Sequence, residues 1–297
     1  MFIIKYKKVF VLISVCLVAV SIALISIFGI PLGIDFKGGA MMQVSYDGTR
    51  PEIALVEQLV KESNVGTALI QPAGTNAYTI KTRDLSETER VGLLSSLSVS
   101  NSVVVHQDSY TSIGPTVGKD LAHKALLAII LVSLAIIIFI AFAFRGVNKP
   151  VSSWKYGLVA IITLIHDIII PVGVFAVLAK EYGAEVDTLF VVALLTVLGL
   201  SISDTIVVFD RVRENLKFKK YSTFSETVGK SIEQAYVRSI ATSLTVIMVL
   251  VALAIWGPVT TRIFAMMLAA GMFFGTYSSI FLASPLLVYF EKWQTKK

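Results

Sequence analysis

Residues 189–209 read LFVVALLTVLGLSISDTIVVF, an apolar run of 21 residues broken by one charged side chain, Asp204. At a helical rise of about 1.5 Å per residue, such a run spans the roughly 30 Å of a bilayer's hydrocarbon layer. Five further segments, residues 9–28, 125–144, 156–179, 240–256 and 263–289, reach or approach that length. The whole chain is 55% hydrophobic and only 15% charged, too apolar for 297 residues to hide in one soluble core. The expected fold class is an α-helical polytopic membrane protein with six transmembrane helices.

Working outward from the spans, the charges set the orientation. A net charge of +6 would suggest nucleic acid in a soluble protein, but here the basic residues flank apolar runs, so no nucleic-acid partner is expected. With the N-terminus in the cytosol, the segments around Lys5 and at 145–155, 211–238 and 292–297 hold 16 Lys and Arg. The two short outer loops hold only Lys180 and Arg262. Both termini are therefore expected in the cytosol of a multi-pass cytoplasmic (inner) membrane protein. Lys5, Lys7 and Lys8 before the first run imitate a signal peptide, yet the run is too long and no small-x-small cleavage signal is clear, so an uncleaved span is expected. The single cysteine, Cys16, lies inside that run, which excludes an intrachain disulfide and a multi-thiolate metal site.

The domain plan follows: 1–30 as N-terminus and first helix, 31–122 as an outer domain, and 123–297 as helices two to six with a cytosolic loop at 211–237. The outer stretch is too long for a loop. Alternation at 42–46, 67–71, 77–82 and 102–107 predicts strands, and 51–63 and 86–97 predict helices, the second opened by Ser86 and Glu89 at capping-box spacing. The order βαββαβ is that of an α+β ferredoxin-like domain. Between spans four and five, Thr223 and Glu226 repeat the capping spacing while Phe224, Val228 and Ile232 recur every four residues. That pattern predicts a short amphipathic helix on the cytosolic face, lying on the membrane surface in contact with lipid or, as the alternative, touching a partner.

An ionisable group inside a span costs several kcal/mol unless it is paired, solvated or neutralised, so each one needs a reason. Asp204 lies about 15 residues, hence roughly 22 Å, from the outer end of its helix. Thr196, Ser203 and Asp210, with Ser201 and Asp204 beside them, form a polar arc expected to face other helices or a water-filled path. Arg238 opens the fifth span from the same side, within reach of Asp204. Burial favours a neutral carboxyl and a nearby guanidinium favours the charged one, so motion of Arg238 could switch Asp204 between proton uptake and release; the alternative is a static ion pair joining two helices. His166 and Asp167 near the middle of span three are a candidate secondary polar path with Ser201 and Ser203, or else interhelical glue. Adjacent helical residues point about 100° apart, so only one of the two is expected to face the interior. Gly271 and Gly275, extended by Ser278, Ser279 and Ala283, read as a close-packing face. His106 and His123 show no ligand spacing, so no metal is expected. The glycines of GIDFKGG, residues 33–39, read as a junction into the outer domain without phosphate-loop spacing. No nucleophile–base arrangement and no nucleotide-binding loop is visible, so neither an enzyme nor an organic cofactor is expected.

Along nearly its whole length the chain resembles the SecF branch of the SecD/SecF family, in the resistance-nodulation-division superfamily. GIDFKGG at 33–39, SIGPTVG at 112–118, HD at 166–167 and LGLSISDTIVVFDRVRENL at 198–216 carry the likeness in the family's order. It implies half of a twelve-helix bundle completed by SecD, working beside a SecYEG-type channel on a preprotein substrate and driven by the proton or sodium gradient. It also implies that Asp204 and Arg238 match the family's essential aspartate and arginine. Leu200 and Ser203 depart from the Tyr and Asn that many relatives carry. A scaffold without ion coupling, or half of a small-molecule or lipid exporter, are the competing readings.

Overall fold

The computed structural model describes residues 2–98, 104–145 and 151–295. Ser102 and Val103 of the expected last strand, and Lys149, Lys296 and Lys297 of the basic flanks, lie outside these residues. In chain order the elements are α1 (Phe2–Lys5), α2 (Lys7–Phe28), α3 (Ile34–Lys37), β1 (Gly39–Tyr46), α4 (Ile53–Glu62), β2 (Leu69–Ala73), β3 (Ala77–Thr82), α5 (Glu87–Leu97), β4 (Val105–Ile113) and α6 (Pro115–Ala143). There follow α7 (Ser153–Tyr182), α8 (Thr188–Lys217), α9 (Phe224–Trp256), α10 (Val259–Ser278), a π-helical turn (Ser279–Ala283) and α11 (Ser284–Thr295). Among the described residues six helical segments are long and apolar enough to cross a membrane: α2, α6, α7, α8, α9 and the run from α10 through α11.

The chain divides into two units. The membrane unit comprises Met1–Ile30, Leu127–Ala184 and Leu189–Lys297, and the outer unit Pro31–Leu126 with Glu185–Thr188. The outer unit is a four-stranded antiparallel sheet in the order β2-β3-β1-β4, the arrangement that the βαββαβ order produces. Met42, Val44, Tyr46, Tyr78 and Ile80 from one sheet face pack with Val56 and Val60 of α4 and Leu93 and Leu97 of α5. The alternation of apolar side chains along β1 and the three-to-four spacing on the helices aim these residues at a single layer.

Helix α5 starts with a complete capping box: Glu89 N–H donates to Ser86 Oγ at 3.3 Å and Ser86 N–H donates to Glu89 Oε2 at 2.8 Å. Arg83 donates to the same carboxylate, and with the Ser86 bonds it holds Glu89 at about 2, against an ordinary value of 4.5. A carboxyl held low contributes stability above its unfolded value and loses it as the pH falls toward its folded one. Protection against hydrogen exchange at the first turn of α5 in the whole protein, taken relative to the intrinsic exchange rate at each pH, is therefore expected to fall between about pH 5 and pH 2. Glu89→Gln should flatten that pH dependence, and an unchanged profile would count against the capping account.

Two stretches singled out in the sequence meet in this unit. Gly38 ends α3 at φ +79°, a backbone conformation that side chains strain, and a Cβ there would lie 2.7 Å from Cα of Pro115. Gly118 presents its bare face to the backbone of Phe36–Gly38, with Gly38 N 2.7 Å from where a Cβ would stand. GIDFKGG and SIGPTVG are thus two sides of one close backbone crossing.

In the membrane unit, Gly173 of α7 meets Ser21 of α2, where a Cβ would lie 2.5 Å from Ser21 Cβ. Gly271 and Gly275 of α10 meet Val197 and Ser201 of α8, where a Cβ would lie 2.2 and 2.9 Å from their nearest side-chain atoms. These are the small-residue approaches that van der Waals packing requires where lipid supplies no hydrophobic drive. Pro285 lacks the N–H that the Phe281 carbonyl would receive, and the helix widens into its π-turn just before it.

The loop between spans four and five differs from its expectation. Helix α8 runs to Lys217 and α9 starts at Phe224, leaving six residues between them. The expected surface helix is instead the first part of α9, capped by Thr223, whose Oγ1 accepts from Glu226 N–H at 3.1 Å. Phe224, Val228 and Ile232 are buried in a cluster with Phe209, Val212, Leu287 and Val288, not laid on lipid. The four-residue apolar period was satisfied by neighbouring helices, which cover that face more completely than a bilayer surface would.

Candidate functional site

Asp204 lies on α8, half-buried, where the helix passes α9 and α10. Its Oδ2 accepts hydrogen bonds from Thr276 Oγ1 at 3.2 Å and from Ser243 Oγ at 3.5 Å, and those two hydroxyls are 2.5 Å apart. Hydroxyls on two helices, α9 and α10, thus cradle the carboxyl of a third. Among the described residues no ion pair joins Asp204 to Arg238. Arg238 is exposed and lines a cleft of about 150 Å³ with Val207, Asp210, Arg211, Glu214 and Gln234. A static Asp204–Arg238 pair is therefore not what joins these helices: Arg238 stands about one and a half turns from the Ser243 level on α9, and it lines the same cleft as Asp210.

The polar arc on α8 divides. Ser201 and Thr205 are buried, Thr196 folds back onto its own Val192 carbonyl at 2.7 Å, and Ser203 and Asp210 are exposed on the other flank. Ser203 consequently makes no part of the inner cluster, because a helix turning 100° per residue cannot aim 201 and 203 in one direction.

His166 and Asp167 both lie inside, each 2% exposed, and pair at 2.9 Å from Nδ1 to Oδ1. The expectation that only one would face inward fails because α7 is covered on several sides, by α2 as well as α10, so directions 100° apart are both interior. Asp167 Oδ2 accepts from Ser201 Oγ of α8 and from Ser278 Oγ of α10, the latter at 2.9 Å. Oδ2 thus ties α7 to α8 and α10, while Oδ1 is taken by His166 of the same helix. Pro171, four residues on, supplies no N–H to the Asp167 carbonyl, which loosens α7 at this point. Next to the pair, Tyr277 stacks on His166 with ring centroids 6.4 Å apart and donates its hydroxyl to the Phe10 carbonyl of α2 at 3.2 Å. Thr205 and Ser279 are 2.8 Å apart, and Ser279 donates to the Ser201 carbonyl at 3.2 Å.

The hydroxyls of Ser243, Thr276, Ser278 and Ser279 are the members that sequence reasoning missed or took for packing alone. The signal was there in part: Ser278 and Ser279 follow the Gly271–Gly275 face by one turn, and that face brings α10 within hydroxyl reach of α8. Nothing in the sequence says which carboxyl each hydroxyl meets.

The comparisons with known proteins agree with this architecture. The family described as "Protein export membrane protein SecD/SecF, C-terminal" matches residues 95–293, and "SecD/SecF GG Motif" matches residues 23–49. The protein translocase subunit SecF of Anaerolinea thermophila is 37% identical over 96% of this chain and 92% of its own length. That of Thermobaculum terrenum is 38% identical over 97% and 93%. The chain belongs to the SecF family. Among solved structures, SecDF of Thermus thermophilus, described as a translocon-associated membrane protein, superposes with a TM-score of 0.83 and 28% identity over 97% of this chain. SecDF in a super-membrane-facing form gives 0.70 and 27%. The chain spans 38% of the Thermus SecDF chain, so the longer protein carries more than a SecF-family chain of this length. The GG-motif match covers the Gly38 crossing described above, and the C-terminal match covers both carboxyl clusters.

Proposed function

We propose that this chain works as the SecF subunit of a protein-export complex, pairing with SecD beside a SecYEG-type channel in the cytoplasmic membrane and using the proton gradient, or a sodium gradient, to draw a preprotein outward. Both termini are cytosolic and Asp204 sits in the inner half of the membrane. The observation that carries the reading is the state of Asp204: a carboxyl within a membrane helix, held by neutral hydroxyls and unpaired with any cation among the described residues. A carboxyl so placed can take up and release a proton without first breaking an ion pair, whereas a buried ion pair would resist both. The exposed side of this cluster, with Ser203 on α8 and Arg238, Thr242 and Thr245 on α9, is polar where lipid would demand apolar groups. A second membrane protein covering it, as SecD would, satisfies that requirement.

Magnitude favours coupling. One charge crossing 100 mV releases about 2.3 kcal/mol, enough to bias a two-state rocking of packed helices. The test is export of a model preprotein into sealed vesicles carrying SecD and the channel, with and without this chain, under an imposed proton or sodium gradient. Stimulation that requires both chain and gradient is expected. Equal export in all vesicles would end the reading, and stimulation by the chain with no gradient would favour the scaffold.

A further inference from the structure

GIDFKGG is more than a hinge into the outer domain. Pro31 carbonyl accepts from Val186 N–H and Gly33 N–H donates to Val186 carbonyl, each at 2.8 Å, so the stretch pairs in parallel with the short segment Glu185–Thr188. Asp35 then accepts two hydrogen bonds on Oδ2, from Thr188 N–H at 2.8 Å and Thr188 Oγ1 at 2.7 Å. Lys81 of β3 closes the arrangement with an ion pair to Glu185 at 2.8 Å, both side chains about four-fifths buried. All of these residues belong to the outer unit. Thr188 is also the first residue of α8, whose later turns carry Asp204.

The first N–H groups of a helix have no partner in their own helix and favour an anionic acceptor. In α8 that acceptor comes from 153 residues away in sequence. Asp35 is itself fixed, since α3 is pinned by the Gly38–Pro115 and Gly118–Phe36 crossing. Thr188, the first residue of the Asp204 helix, is thus fastened to the outer sheet by a carboxylate cap, a backbone pairing and a largely buried ion pair. We propose that Asp35 is a positioning residue for energy coupling: through Thr188 it makes the outer domain and α8 move as one, so that a displacement at Asp204 reaches the sheet. This rests on the reading of Asp204 as ion-responsive.

The experiment uses the full chain with SecD and the channel in sealed vesicles, following complex assembly, gradient-driven proton uptake with a pH-sensitive dye, and gradient-stimulated export in the same samples. Asp35→Ala is expected to leave assembly and proton uptake in place while reducing stimulated export about fivefold, the equilibrium shift that a lost cap corresponds to. Asp35→Asn, whose side-chain oxygen accepts the same N–H, should restore most of it. Leu32→Cys with Val186→Cys, across the parallel pairing, should rescue Asp35→Ala when oxidised and not when reduced. Stimulated export unchanged in Asp35→Ala, or lost together with proton uptake or assembly and not rescued by either route, overturns the proposal. Wild-type vesicles with no gradient-driven uptake would overturn the Asp204 reading and this one with it, which separates the two failures.

Discussion

Asp204→Asn is expected to leave the chain folded and in complex with SecD while abolishing the gradient-dependent part of export. The carboxyl accepts hydrogen bonds from Thr276 and Ser243, and an amide oxygen in the same place accepts them equally well. Packing around the site is therefore preserved, and what disappears is the ability to bind and release a proton. At 100 mV one charge corresponds to about 2.3 kcal/mol, or roughly a fiftyfold shift between two states, so the loss should be near complete. Export and co-purification with SecD, measured on the same vesicles, check this. Retained stimulation would remove Asp204 from the ion path. Loss of assembly would instead make Asp204 part of the structural contact, as in a scaffold.

Asp167→Ala should act differently, through stability. The substitution removes the acceptor of three donors, His166 Nδ1, Ser201 Oγ and Ser278 Oγ, at a site closed to solvent. Leaving buried polar groups without partners and opening a cavity where α7, α8 and α10 meet should cost about 3 kcal/mol. Asp167→Asn keeps an acceptor oxygen and should lose much less. Denaturation of the purified chain in detergent measures both. The companion expectation is that Asp167→Asn retains gradient-stimulated export, because a carboxyl with one oxygen committed to His166 and the other to hydroxyls of α8 and α10 acts as a fastening. If Asp167→Asn is as stable as wild type yet fails to respond to the gradient, the pair belongs to a second proton path after all.

The contrast between these carboxyls was not available before the fold was known. Both stand in apolar runs next to small hydroxyl residues, and by sequence Asp204 with Arg238 was the candidate ion pair while His166 and Asp167 were expected to diverge. The structure pairs the adjacent residues with each other and shows no direct ion pair between Asp204 and Arg238. Adjacency on a helix fixes an angle of 100° but does not say how much of the circumference is covered, and α7 is covered on enough sides to take in both.

Other features were legible for definite reasons. Six spans follow from composition and run length, because a bilayer admits only backbones that satisfy themselves. The βαββαβ order of the outer domain follows from alternation, three-to-four spacing and the Ser86–Glu89 box, all local properties of the chain. The helix at Thr223 was correctly placed at its start but wrongly assigned an environment. Its apolar face reads the same whether lipid or the Phe209–Val212 surface of α8 covers it.

By itself, then, the sequence determined the solvent, the number of spans, the elements of the outer domain and the residues with chemistry to spare, since each depends on neighbours within a few turns. Tertiary structure alone decided who meets whom: Asp204 with Thr276 and Ser243, Asp167 with Ser201 and Ser278, and Asp35 with the first turn of α8. Those contacts join residues up to 153 positions apart. They depend on how closely glycine faces let helices approach and on where each helix turns its side chains, and no local pattern carries that information.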